Sequence, residues 1–153
     1  MEREHTIDHL LRATWQAVAK MYNEQAQKQN YTMSMGFVIL NIDCENGTPS
    51  TALGPLMGME ATSLSRILKS MEEKGLIYRE KNPNDGRGVL IKLTGLGKVK
   101  RKDAKESVLE FNEMVFNNVS KNDLDGFNNV INVINKLISD NKIYQNTNNK
   151  KVS

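Results

Sequence analysis

Cysteine is nearly absent from this chain: Cys44 is the only one in 153 residues. A single thiol closes no intrachain disulfide, which excludes a disulfide-stapled secreted scaffold and fits a reducing compartment. Long apolar runs are missing as well. No stretch approaches the ~18–20 apolar residues that span a bilayer, and the N-terminal MEREHTIDHLLR lacks the apolar segment of a signal peptide. These absences predict a cytoplasmic protein with no membrane partner. Histidine occurs only at His5 and His9. The chain has no Ser/His/Asp or Cys/His spacing, no glycine-rich phosphate loop and no paired-carboxylate pattern. An enzyme is not expected, nor is a cofactor.

The chain is long enough to bury a core without disulfides or metals. Net charge is only +3, but it is unevenly spread. Between Thr62 and Lys105 lie twelve Lys and Arg residues against five acids, a local balance of +7, while the rest of the chain carries −4. A polyanion would meet the middle of this protein and find its ends neutral or repulsive. The ordinary alternative for such a run is a solvated surface.

Apolar periodicity predicts a mainly α fold. Ile7, Leu10, Leu11, Thr14, Val18, Met21 and Tyr22 mark one long amphipathic helix over about 6–29. Thr32 or Ser34 is placed to cap a second, strongly apolar helix carrying Met35, Phe37, Val38, Leu40 and Ile42, which Asn46-Gly47-Thr48-Pro49 ends in a turn. Residues 51–57 read as a short helix, Gly58 and Met59 as a turn, and 61–74 as another helix closed by a left-handed Gly75. Leu76–Lys81 and Val89–Leu93 are strands flanking the turn Asn82-Pro83-Asn84-Asp85-Gly86. Thr94 can cap a long helix over about 95–118, and Ser120 with Asp123 approximates a capping box for a last helix over about 120–141. That helix repeats Leu124, Phe127, Val130, Ile131, Ile134, Leu137 and Ile138. Residues 145–153 are polar and read as a disordered tail.

The segment 51–97 therefore reads as helix, turn, helix and basic hairpin, an arrangement suited to duplex DNA. Advancing the helix after Gly58 by about 100° per residue gathers Leu64, Ile67, Leu68 and Met71 on one side. Thr62, Ser63, Ser65, Arg66 and Lys69 lie on or beside the opposite face. Hydroxyls contact phosphate or either base type, and Arg can hydrogen-bond guanine O6 and N7 with two donors. On the hairpin, Arg87 is positioned to enter a minor groove, with Asp85 expected to pair with it and orient it. A solvated helix face is the plain alternative to the groove reading. A winged helix that binds protein is the competing functional class, and the hydroxyl-rich, acid-poor face argues against it.

Here the residues resemble a known family. Leu64-Ser65-Arg66-Ile67-Leu68 and Met71-Glu72-Glu73-Lys74-Gly75-Leu76-Ile77-Tyr78-Arg79 look like the recognition helix and first wing strand of MarR-type winged-helix transcriptional regulators. Asp85-Gly86-Arg87 matches their Asp-x-Arg wing motif, and Leu93-Thr94-x-x-Gly97 their strand-to-helix junction. The resemblance implies one MarR-like domain over about 1–144, with a winged helix-turn-helix at about 48–97 flanked by terminal dimerisation helices. It implies a homodimer on a pseudo-palindromic operator, with half-sites about one helical turn apart, acting as a repressor that occludes a promoter. The family commonly has Glu-Lys where this chain has Gly95-Leu96, so a softer attachment of the wing is expected. Met59-Glu60 also makes a poorer helix cap than the family's usual Ser or Asp.

The resemblance further implies a small-molecule effector bound between the dimerisation helices and the winged helix. Trp15, Tyr22, Met33, Met35 and Phe37 are candidate lining residues, with core or interface packing as the ordinary alternative. Two other sensors stand beside that default. Cys44 would need nearby positive charge or a helix N-terminus to become a reactive thiolate, and the sequence supplies neither. His5 and His9 are spaced i, i+4 near Glu2 and Asp8, as zinc ligands on one helix face would be.

Overall fold

Local capping chemistry starts and stops most of the predicted helices close to where the sequence places them. The computed structural model describes residues 5–144, so the tail expected at 145–153 lies outside the described residues. Helix α1 (Ile7–Lys28) is followed by α2 (Met33–Asn41), whose cap is Thr32 accepting the Met35 N–H at 3.2 Å. Strand β1 (Thr48–Pro49), α3 (Ser50–Met57) and α4 (Ala61–Glu73) come next. Then come β2 (Ile77–Lys81), β3 (Val89–Leu93), α5 (Gly95–Asn118) and α6 (Lys121–Ser139). At α6 the capping box is complete, with Ser120 and Asp123 side chains each accepting the other's backbone N–H.

One element departs from the sequence reading. Thr48-Pro49 is not the end of a turn but a short strand, pairing antiparallel with β3 in the register Thr48↔Ile91 and Pro49↔Leu90. The sheet is therefore three-stranded, ordered β1-β3-β2. Two residues are too few to show alternation, and proline is tolerated because β1 is an edge strand. The buried Thr48 hydroxyl accepts the Asp43 N–H at 2.9 Å, tying the turn to the strand.

Contacts divide the chain into two compact units that meet within α5, one running to Leu109 and the other starting at Glu110. The first holds the core: Val38 and Ile39 of α2, Ile42, Leu53 of α3, Met71 of α4, Ile77 of β2 and Ile91 of β3 are almost wholly buried. Each such side chain contributes about 1.5–3 kcal/mol by leaving water. That burial fixes which side of α4 faces inward. In the second unit α6 has no buried residue at all, and Phe127 and Ile138 are 60% and 57% exposed.

The end of α4 and the start of α5 are locked together. Gly75 takes φ +68°, so the helix closes with Leu76 N–H on Met71 O at 2.9 Å. Thr94 then ties the wing back. Its N–H donates to Leu76 O (3.1 Å), its hydroxyl donates to Gly75 O (2.6 Å), and its Oγ1 accepts the Gly97 N–H (3.0 Å). These three bonds tie the end of β3 to the turn after α4 and to the first turn of α5, where Gly95-Leu96 lie.

Candidate nucleic-acid interface

In α4 the inward residues are Leu64, Leu68 and Met71, with Ile67 partly buried. Thr62, Ser63, Ser65, Arg66 and Lys69 are all exposed, so the structure gathers the five on the solvent side of one helix. Among the described residues no carboxylate forms an ion pair with Arg66 or Lys69. The cap residue Glu60 makes no side-chain bond to the helix, and no acid sits in the first turn. The leading N–H groups and the positive end of the helix dipole are thus left for an external anion. At the other end Glu72 is engaged by Arg79, Oε2 to Nε 3.1 Å, which holds an acid beside β2 and away from the exposed face.

The wing tip is built by short-range hydrogen bonds. Asn82 N–H donates to Gly88 O at 3.0 Å, Gly88 N–H to Asp85 O at 2.9 Å, and Asn84 N–H to Asn82 Oδ1 at 3.0 Å. The expected ion pair between the Asp85 and Arg87 side chains is not formed; Asp85 meets the Arg87 backbone instead. Its Oδ1 accepts the Arg87 backbone N–H at 3.1 Å and fixes the main chain, leaving the guanidinium exposed without a carboxylate partner among the described residues. An Asx-type turn needs only the two-residue separation, whereas a charge pair at an exposed tip gains little.

Several bases counted in the +7 window are committed internally. Lys92 pairs with Glu80 at 2.6 Å, which raises the Lys92 pKa above the ordinary lysine value. Arg101 Nη1 donates to Ile39 O (2.8 Å) and Leu40 O (2.7 Å), satisfying carbonyls at the end of α2 that no helix N–H can reach. Sequence reasoning missed this role, since a carbonyl cap supplied from about sixty residues away leaves no local pattern.

The candidate effector residues scatter. Phe37 stacks on Trp15 at 6.3 Å between centroids and meets Tyr22 edge-on at 6.2 Å. Tyr22, Met33 and Phe37 line a cleft of about 30 Å³, room for roughly one water. Burial raises the Tyr22 phenol above its ordinary pKa. Trp15 stays half exposed and Met35 lies in the core, neither of them lining that cleft. Cys44 is exposed in the turn after α2. His5 and His9 do not share a helix face, because His5 precedes the extended cap residue Thr6. Among the described residues no three His, Cys, Asp or Glu side chains are grouped to hold a metal, and no helix is long and apolar enough to cross a membrane.

Residues 32–89, spanning α2 to the first residue of β3, match the MarR family profile. Over that segment, a little more than a third of its length, the chain resembles the MarR family. It is 28% identical over 137 residues to the regulator SarZ of Staphylococcus haemolyticus, covering 88% of each chain. It is 30% identical over 88 residues to the multiple antibiotic resistance protein MarR of Escherichia coli, 58% of this chain and 61% of that one. Its fold superposes on the Staphylococcus aureus MepR–DNA complex with a TM-score of 0.78 at 19% identity, over 89% of this chain and 99% of that one. The chain thus shares the winged-helix fold of these regulators.

Proposed function

We propose that this protein is a sequence-specific double-stranded DNA-binding regulator, acting as a homodimer and ligand-responsive repressor in the cytoplasm. The observation that carries the reading is the exposed face of Thr62, Ser63, Ser65, Arg66 and Lys69 on α4, where neither Arg66 nor Lys69 has a carboxylate partner among the described residues, together with an exposed Arg87 at the wing tip. In this reading α4 lies in the major groove, where Arg66 reads a base and the hydroxyls and Lys69 contact phosphate. Arg87 enters the adjacent minor groove, its backbone set by Asp85. The solved MepR–DNA complex, which shares the fold, supports this docking. A dimer supported by the bare apolar face of α6 places two such lobes on a pseudo-palindrome.

Ligand response would work through the cleft at Tyr22, Met33 and Phe37. With only about 30 Å³ it admits no effector as it stands, so an effector must favour a conformation in which it opens. Only that difference in affinity between the two states can shift DNA binding.

The test is quantitative operator binding, with the operator selected from a random DNA pool. Arg66→Ala is expected to weaken specific binding by ~1–3 kcal/mol and to relax preference at one base per half-site. Wild-type affinity and preference in Arg66→Ala would remove α4 from the groove. For Arg87→Ala the expected result is weaker binding, with the log–log dependence on salt about one unit shallower; an unchanged slope would mean that the wing does not engage DNA.

A further inference from the structure

One acid interrupts the helix–turn–helix. From Asn46 to Met71 the sequence contains a single carboxylate, Glu60, at the start of α4. Its backbone begins the helix, the carbonyl accepting the Leu64 N–H at 3.0 Å. Its side chain does nothing for the fold. It is exposed, caps no backbone N–H and forms no ion pair among the described residues. Beside it an open concavity of about 400 Å³ lies between α3 and α4, where Ser50, Thr51, Gly58 and Ala61 present only small groups. A Cβ built at Gly58 meets nothing within 4 Å. The carboxylate therefore has room next to it for a base edge.

A free carboxylate at the leading end of a groove-seeking helix is repelled by most of what it meets there. Phosphates flank the groove and oppose it on every sequence. In the major groove guanine shows two acceptors, N7 and O6, and thymine shows O4 and a methyl group. Adenine offers N6–H but sets the acceptor N7 beside it. Cytosine alone presents an amino donor, N4–H, with no acceptor next to it on the same base, and Glu accepts from that group. Six residues, about 9 Å of helix axis, separate Glu60 from Arg66. The two side chains therefore address different base pairs.

We propose that Glu60 is a specificity-determining residue, its carboxylate accepting a hydrogen bond from cytosine N4 at one position in each half-site. Repulsion from phosphate weakens the grip of α4 on every sequence, and the cytosine contact restores it only on the right one. The helix gives up a capping side chain in exchange for discrimination. This role rests on the placement of α4 in the major groove proposed above.

Selection from a random DNA pool is run with the full-length wild type, Glu60→Ala and Glu60→Gln, and each protein's affinity for random-sequence duplex is measured beside it. Wild type is expected to prefer cytosine roughly tenfold over each other base at one position per half-site. Glu60→Ala should lose that preference, keep the others, and bind random-sequence duplex more tightly. Glu60→Gln, whose amide can pair with adenine N6 and N7, should admit adenine there. Glu73→Ala, which removes an exposed acid from the other end of α4, should leave the profile unchanged. Melting temperatures should not fall, since the Glu60 side chain is exposed and unbonded. A Glu60→Ala profile identical to that of wild type overturns the proposal and leaves the DNA-binding reading standing. So does a uniform gain in affinity on every sequence, which would make Glu60 a repulsive charge and nothing more. If wild type selects no sequence at all, both readings fall.

Discussion

Replacing Gly97 by alanine is expected to destabilise the winged-helix unit by about 2–3 kcal/mol, within the range of overpacking in a rigid core. A Cβ built at Gly97 falls 2.0 Å from the Leu76 carbonyl oxygen and 3.1 Å from its carbon. These are backbone atoms, and the same carbonyl accepts the Thr94 N–H. The clash cannot be relieved by turning a side chain. It must push α5 away from the end of α4 and break the lock that seats the wing. Alanine's better helix propensity returns about 1 kcal/mol at most, so the steric cost wins. Gly95→Ala is the control, since a Cβ there meets nothing within 4 Å, and it should leave stability unchanged or raise it slightly. Denaturant midpoints measured at one fixed protein concentration decide the matter. If Gly97→Ala unfolds at the wild-type midpoint, the close approach of α5 to Leu76 is wrong.

Phe127→Asp is expected to turn the proposed dimer into a 17.3 kDa monomer and to cut operator affinity by roughly 10²–10⁴-fold, the range set by losing a tethered second binding module. Phe127 is 60% exposed within its own chain, and Val130, Leu137 and Ile138 on the same helix are 45%, 40% and 57% exposed. An apolar stripe of that length left in water marks an association surface. Putting a carboxylate at its centre requires burying a charge without a partner. The folded protomer should tolerate the change because Phe127 is not part of the core cluster. Sedimentation and circular dichroism separate the two effects: helicity should persist while the mass halves. A Phe127→Asp protein that still sediments as a dimer at micromolar concentration would place the association surface elsewhere.

Much of the fold was legible because its determinants are local. Thr32, Gly75, Thr94 and the Ser120–Asp123 pair act within about four residues of the backbone groups they satisfy, so helix ends could be read from spacing. The α4 side chains were legible for a related reason: a helix that buries Leu64, Leu68 and Met71 must expose Thr62, Arg66 and Lys69. The illegible parts were decided by groups distant in sequence. Strand β1 exists only because β3 offers a pairing edge some forty residues on. Arg101 looked like part of a basic patch until α2 supplied two carbonyls for it. Nor did the charge count distinguish Lys92, committed to Glu80, from Arg87, left free of a carboxylate partner among the described residues.

The sequence by itself determined the helical periods, the caps, the hairpin and the chemical character of one exposed face, because each follows from residues within a turn or two of one another. Tertiary structure alone decided which cations remain available, how Asp85 serves Arg87, and where Gly97 lets two backbones touch. The reason is physical: hydrogen-bond partners and excluded volume are properties of groups brought together by packing, and no linear spacing encodes which carbonyl or which ammonium will be the neighbour.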